Sequence, residues 1–211
     1  PWLIIQKYGV DVLRWYFYTV NDPGDPKRFD ESDLVKVARR FHALLYNSFV
    51  FLETYAGQRL GALNFDPQSH LGNVLDVWII SRLEETFKNT TLSLEAFQIG
   101  QAARFLEVFV DDLSHWYIRR SRRRFSEPVA DSDFISAAAT LKFVLVELSK
   151  VLAPFCPFLS EAIYFSLVSN SDPHSLSVHL EDWPKFKAAL LNKKLLNHMK
   201  EVRRLSSLAL A

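Results

Sequence analysis

Between Asp133 and Leu152 the apolar residues Ile135, Ala138, Leu141, Leu145, Leu148 and Leu152 recur nearly every turn of an α-helix, the spacing that buries one face of a helix and leaves the other wet. The same beat runs through most of the chain. It is carried from about Leu3 to Val20 by Ile5, Tyr8, Val12, Trp15 and Tyr16. From Asp30 or Ser32 to Ala56 it is carried by Leu34, Val37, Phe41, Leu44, Leu45, Phe49 and Leu52. A third stretch, Asn73 to Ala96, has Leu75, Ile79, Leu83 and Phe87. A fourth runs from Ile99 to Phe125, a sixth opens at Pro157, and a last one spans Lys185 to Ala211. Nearly all of the six glycines and nine prolines lie between these stretches, where they break helices rather than kink them. The prediction is all-α: a bundle of about six to seven helices.

The punctuation is specific. Asn21-Asp22-Pro23-Gly24-Asp25-Pro26 is a turn cluster that no helix crosses. Gly61, Asn64, Pro67 and Gly72 mark a polar link, and Pro128 with Asp131-Ser132-Asp133 marks the start of the fifth helix near Asp133. Pro154 stops that helix, and Pro157 fits the first turn of the next, with Glu161 at the positive end of its dipole. Residues 170–184 read as an irregular excursion, in which Ser175 to Leu180 alternates polar and apolar and predicts a short extended segment too short for a sheet. The chain divides at 1–29, 30–184 and 185–211. The last part carries seven Lys or Arg against Glu201 alone.

A chain of 211 residues with 49% hydrophobic content buries a core without covalent staples. The single cysteine, Cys156, excludes an internal disulfide and a cysteine zinc cluster and fits a reducing compartment, so a cytoplasmic location is expected. No apolar run approaches the ~18 to 20 residues that cross a bilayer, so no membrane partner is expected. The opening Pro1-Trp2-Leu3, without an initiator methionine, is expected to be a cut from something longer. A net charge of +1 gives no global pull toward nucleic acid, so any such site has to be local.

One local feature meets that condition. Five arginines, Arg119, Arg120, Arg122, Arg123 and Arg124, fill six positions of a predicted helix. At ~100° per residue they fan over one broad face, with Ile118, Ser121 and Phe125 opposite. Crowded guanidinium groups repel one another unless anions sit among them. Two readings stand: Arg119 and Arg120 pair with internal acids such as Asp111 and Asp112 while the rest is solvated, or the cluster contacts a phosphate backbone. An acidic protein partner is a third.

The rest of the inventory carries no catalytic centre. Trp15, Trp78, Trp116 and Phe105 lie in apolar stripes and are expected in the core, Trp183 with less force. His42, His70, His115, His174, His179 and His198 are scattered without metal-ligand spacing, so no metal site is expected. There is no phosphate-binding glycine loop and no nucleophile elbow. The adjacent acids Asp111-Asp112 and Glu84-Glu85 point about 100° apart on a helix and share no proton-transfer site.

The arginine stretch in its context, Asp111-Asp112-Leu113-Ser114-His115-Trp116-Tyr117-Ile118-Arg119-Arg120-Ser121-Arg122-Arg123-Arg124-Phe125, resembles the anticodon-binding region of the isoleucyl-tRNA synthetase family of class I aminoacyl-tRNA synthetases. Three further stretches resemble it in order. Pro1-Trp2 and Lys7 to Tyr16 are similar to the segment and helix that follow the family's KMSKS loop. Val151 to Glu161 resembles its L-A-P-F-x-P-F-x-x-E turn, and Ser177 to Pro184 its S-V-H-x-x-x-W-P segment. Two departures stand out: His115 occupies a position where asparagine is common, and Ser126 follows Phe125 where tryptophan is usual. Valine enzymes resemble the same helix but carry an acid where Arg119 stands.

The resemblance implies a class I anticodon-binding bundle from 30 to 184, preceded by a stem-contact helix and followed by a basic helix. The parent enzyme would join isoleucine to its tRNA using ATP and Mg2+. HIGH and KMSKS motifs are absent from the 211 residues, so this part is expected to lack catalysis, to need no cofactor of its own, and to partner the catalytic and editing domains of the same chain. The implied tRNA-binding residues are Arg119, Arg120, Arg122, Arg123 and Arg124, with Arg119 and Arg120 the ones expected to be paired internally. By looser analogy with methionine enzymes they include His42, Tyr46 and Asn47 of the second helix, where Asn47 bridging within the bundle is the equal alternative. A protein-docking module explains the arginines but not the other three matches.

Overall fold

The computed structural model describes residues 1–21, 24–26, 29–66, 72–126, 131–168 and 177–209, and among them it is helical with no strand. The helices are α1 (Trp2–Tyr8), α2 (Val10–Thr19), α3 (Glu31–Val37), α4 (Ala43–Ala56), α5 (Val74–Glu95), α6 (Ile99–Asp111), α7 (Arg119–Ser121), α8 (Arg123–Ser126), α9 (Asp131–Leu152), α10 (Pro157–Val168) and α11 (Lys193–Ala209). Wider π-helical turns at Ala38–His42 and Asp112–Ile118 join α3 to α4 and α6 to α7 without a loop. The predicted all-α bundle is the observed one.

The first predicted helix is two helices. Gly9 takes φ +84°, a left-handed conformation that ends α1 and re-aims α2. Asp30 is the cap of the second helix, its carboxylate accepting from Ser32 N at 2.8 Å, and Asn73 caps α5 through Leu75 N at 2.9 Å. The fifth helix begins at Asp131, two residues ahead of expectation. Pro157 opens α10 as predicted, but the carboxylate on its first turn comes from α2: Asp11 Oδ2 accepts from Leu159 N at 2.7 Å.

The main core holds Trp15 of α2, Phe41, Leu45 and Leu52 of the second helix, Trp78, Ile79 and Leu83 of α5, Leu106 and Phe109 of α6, and Leu141, Leu145 and Leu148 of α9. Trp15 stacks on Phe41 with ring centroids 3.7 Å apart and donates its indole N–H to Glu107 at 2.8 Å. Of the other aromatics expected inside, Trp78 is buried, while Trp116 and Phe105 are half-buried.

The basic end corrects a second expectation. It is not helical from Lys185, because α11 begins at Lys193 and short 3₁₀ turns at Val178–Leu180 and Ala188–Leu190 precede it. Side chains of α5 hold this segment and supply partners for its backbone: Lys187 N donates to Glu84 at 2.6 Å, Asn192 N to Ser81 Oγ at 3.0 Å, and Ser81 Oγ to Leu190 O at 2.9 Å. Trp183 donates to Thr91 at 2.9 Å. With its peptide groups partnered sideways, the segment needs no helical ladder. Residues 175 and 176 of the predicted extended segment lie outside the described residues; the remainder is the turn at Val178–Leu180.

Candidate nucleic-acid interface

Residues 99–126 run nearly continuously from α6 through the π turn to α8 and carry the arginines. Tyr117, Ser121 and Arg124 are buried, at steps of four and three that mark one helical stripe, while Arg119, Arg120, Arg122 and Arg123 are exposed. The fan of five is therefore four outward and one inward.

Arg124 departs from its expected role. Its guanidinium meets Asp76 of α5 in a bidentate pair, both N–O distances 2.8 Å, and donates Nε to Asp133 at 2.8 Å. Tyr117 donates its hydroxyl to the same Asp76 at 2.7 Å. Burial works against the Arg124 charge, but the hydrogen bonds to Asp76 and Asp133 outweigh it and hold its pKa above the ordinary arginine value. Burial and the Asp76 charge push the Tyr117 phenol well up. This side chain is a strut of the fold, not an open contact.

The internal pairing expected of Arg119 and Arg120 goes elsewhere. Asp111 pairs with His115 Nδ1 at 2.8 Å, and Asp112, buried, pairs with Arg82 at 2.9 Å and with Arg203 of α11. Asp111 and Arg119, like Asp112 and Arg120, stand eight residues apart, beyond the three- and four-residue steps at which side chains of one helix meet. Arg119 and Arg123 have no acidic partner among the described residues. Arg120 lies over the Trp116 ring at 4.4 Å, and Arg203 faces the same ring at 5.3 Å, which accounts for Trp116 standing half-exposed.

On the second helix the three expected residues separate. His42 is buried, with Nε2 3.6 Å from Cys156 Sγ. Burial lowers its pKa to about 4, so it is neutral at pH 7 and cannot meet a phosphate as a cation. This corrects its placement on an RNA-facing surface. Tyr46 and Asn47 are exposed. Asn47, Ser48 and Phe51 line a groove of about 440 Å³ with Ser114, Ile118, Arg119 and Arg122.

Two more grooves adjoin it. One of about 620 Å³ lies between the arginine rod and α11 and is lined by His115, Trp116, Arg119, Arg120, Arg123, Ser206 and Ser207. The other, about 860 Å³, lies between α2, α3 and α6, and the basic side chains on its wall are Lys36, Arg39, Arg40 and His115. Higher numbers on the second helix meet higher numbers on the rod, and α11 runs the same way on the other flank. The rod is thus a ridge with grooves on both sides, lined by Arg119 and Arg122 on one and by Arg119, Arg120 and Arg123 on the other, while the groove beside α2 balances Lys36, Arg39 and Arg40 against Asp33, Glu107 and Asp111. Lys36, Arg39, Arg40, Ser206 and Ser207 were not singled out by the sequence reading, whereas Arg203 belongs to the basic end that was. The one signal for them was the basic pair Arg39-Arg40 beside an apolar stripe, a pattern that also describes an ordinary wet face.

Guanidinium groups around open grooves, with a carboxamide, hydroxyls and an indole beside them, form a surface for polyanions carrying bases. A profile described as the anticodon-binding domain of tRNA ligase matches residues 76–209. The chain belongs to this anticodon-binding family. It is 41% identical over 213 aligned positions to the isoleucine–tRNA ligase of Dehalococcoides mccartyi strain 195, covering 99% of this chain and 21% of that protein. The Deinococcus radiodurans isoleucine–tRNA ligase is 38% identical over 211, covering 100% of this chain and 19% of the relative. The chain therefore spans about a fifth of the curated relatives it matches. A solved ternary complex, Agrobacterium radiobacter K84 agnB2 LeuRS with tRNA and LeuAMS, aligns with TM-score 0.62 at 19% identity over 91% of this chain and 21% of that one. At that identity the likeness establishes the fold. No described helix is long and apolar enough to cross a membrane.

Proposed function

We propose that the ridge formed by residues 99–126 and its flanking grooves bind the anticodon arm of isoleucine tRNA, and that this part of the ligase positions RNA for chemistry performed elsewhere in the longer enzyme. The observation that carries the reading is the pair Arg119 and Arg123, exposed and without acidic partners among the described residues, on the rim of grooves that also hold Asn47, Trp116, Ser206 and Ser207. The arginines would neutralise phosphates while carboxamide, hydroxyl and ring would meet unstacked bases. The parent reaction, joining isoleucine to tRNA with ATP and Mg2+, would draw on this domain only for orientation.

The test is binding of the 211-residue chain to isoleucine tRNA, an anticodon-swapped isoleucine tRNA and a non-cognate tRNA at two salt concentrations, for the native chain and for Arg119→Gln/Arg123→Gln. The expected result is preference for the cognate anticodon and a salt slope shallower by about two in the variant. Equal weak binding to all three RNAs, untouched by the substitutions, would overturn the proposal.

A further inference from the structure

The groove beside α2 has a chemistry unlike the other two. Arg39 and Arg40 project from the π turn Ala38–His42 into a groove whose wall also holds three carboxylates, Asp33, Glu107 and Asp111. Each of those acids is engaged: Asp33 by Lys36 at 2.7 Å, Glu107 by the Trp15 indole at 2.8 Å, Asp111 by His115 at 2.8 Å. The two guanidinium groups lie among acids yet pair with none of the described ones, and both are exposed. Such groups are free to take an anion from outside.

The same groove offers no open Phe, Tyr or Trp platform. Of its two rings, Tyr16 is buried, with its hydroxyl accepting from Asp30 N at 3.2 Å, and the His115 imidazole is held by Asp111 at 2.8 Å. The Thr19 hydroxyl is spent on Trp15 O at 2.9 Å, and no carboxamide lines the wall. Asn47, Trp116, Ser206 and Ser207 all belong to the other two grooves. Along the rod, Asp111 and Arg119 are eight residues apart, with the π turn Asp112–Ile118 between them.

We propose that Arg39 and Arg40 grip phosphates of double-stranded RNA next to the recognised loop, supplying affinity without sequence preference, while discrimination belongs to the grooves at Asn47, Trp116 and Arg119. This rests on the tRNA-binding reading above and adds a division of labour to it. Backbone contacts fix register and carry no sequence information, whereas base-edge contacts specify. The π turn presents both arginines on the groove side of a helix that otherwise buries Phe41 and Leu45.

The experiment titrates the 211-residue chain with isoleucine tRNA, its anticodon-swapped version, the isolated anticodon stem-loop hairpin and the single-stranded loop oligonucleotide, between about 50 and 200 mM salt. Arg39→Gln/Arg40→Gln is expected to weaken both tRNAs and the hairpin by the same factor, roughly tenfold, with the cognate preference unchanged and the salt slope lower by about two. The loop oligonucleotide should bind the variant as it binds the native chain. Arg39→Lys/Arg40→Lys should keep the salt slope, and an unchanged thermal midpoint in both variants shows that the fold is intact. An unaltered slope, or a loss confined to the cognate anticodon, overturns the assignment. A native chain that binds no tRNA overturns the parent reading and this one together; a native chain that discriminates while the double variant equals it overturns only this one.

Discussion

Arg124 reaches across the bundle to Asp76, 48 residues earlier in the chain, and closes a two-pronged pair with both N–O distances at 2.8 Å. Around it stand Tyr117, Asp133 and Ser136, so that α5, the arginine rod and α9 are joined at one buried carboxylate. Removing one partner of such a pair strands the other charge away from water. Arg124→Gln is therefore expected to destabilise the domain by about 3 to 5 kcal/mol in urea unfolding. Arg124→Lys should not rescue it, since an ammonium cannot make the forked contact. The double change Arg124→Met/Asp76→Leu should recover much of the loss. A single Gln variant as stable as the native chain would mean that the pair adds nothing.

The resemblance motifs at Lys7 to Tyr16 and at Val151 to Glu161 find their reason in each other. Asp11 caps the first turn of α10 through Leu159 N at 2.7 Å, and Arg14 donates to the carbonyls of Pro154 and Phe155 at 2.7 and 3.1 Å, in the turn that follows α9. One helix face thus holds the Leu152–Pro157 turn and caps the helix after it. Burial raises the pKa of Asp11 against these hydrogen bonds, so its charge is carried at some expense in stability. Asp11→Ala should destabilise by about 1 kcal/mol, as lost helix caps do. Asp11→Asn keeps an acceptor and removes the buried charge, and should fall well short of that loss at pH 7. Thermal unfolding of the two variants side by side decides it, and equal losses would mean that the charge itself is needed.

His42 makes the stability depend on pH in a defined window. Its pKa is about 4 in the fold because burial excludes the imidazolium, against about 6.5 in an unfolded chain. The unfolded state therefore binds the extra proton first as pH falls. The stability associated with neutral His42 is complete above about pH 6.5 and is lost progressively down to about pH 4, a span worth roughly 3 kcal/mol. The raised pKa values of Asp11 and Glu84, both set by burial, act in the opposite sense. His42→Leu should therefore flatten the fall in urea-unfolding free energy between pH 7 and pH 4. A variant with the native pH profile would place the proton elsewhere.

What the sequence discloses follows from how local each signal is. The helices are legible because a stripe such as Ile135 to Leu152 repeats within one segment, and Pro157 and Asp30 announce helix starts from their own chemistry. The inward turn of Arg124 was within reach of the same arithmetic, since it stands seven residues after the buried Tyr117, but its partner Asp76 is set by tertiary packing. The two π turns leave no periodic trace, and the first of them turns Arg39 and Arg40 into a groove. His42 read as a surface group because nothing near it in sequence says that Cys156 lies against it.

The segment before α11 shows the same dependence on distant groups, and it gives a local test. Ser81 both donates to Leu190 O at 2.9 Å and accepts from Asn192 N at 3.0 Å, and Glu84, one turn on, accepts from Lys187 N at 2.6 Å. Ser81→Ala removes a two-way bridge and leaves the Leu190 carbonyl and the Asn192 amide without it, at an expected cost of about 1 to 3 kcal/mol. The loss should be regional, because the core of α5, α6 and α9 is untouched while α11 loses its mooring to α5. Hydrogen exchange read residue by residue should show faster exchange at Lys187, Asn192 and Leu195, with Leu83, Leu106 and Leu145 protected as before. Uniform acceleration across the bundle would instead mean that this segment and the core unfold as one unit.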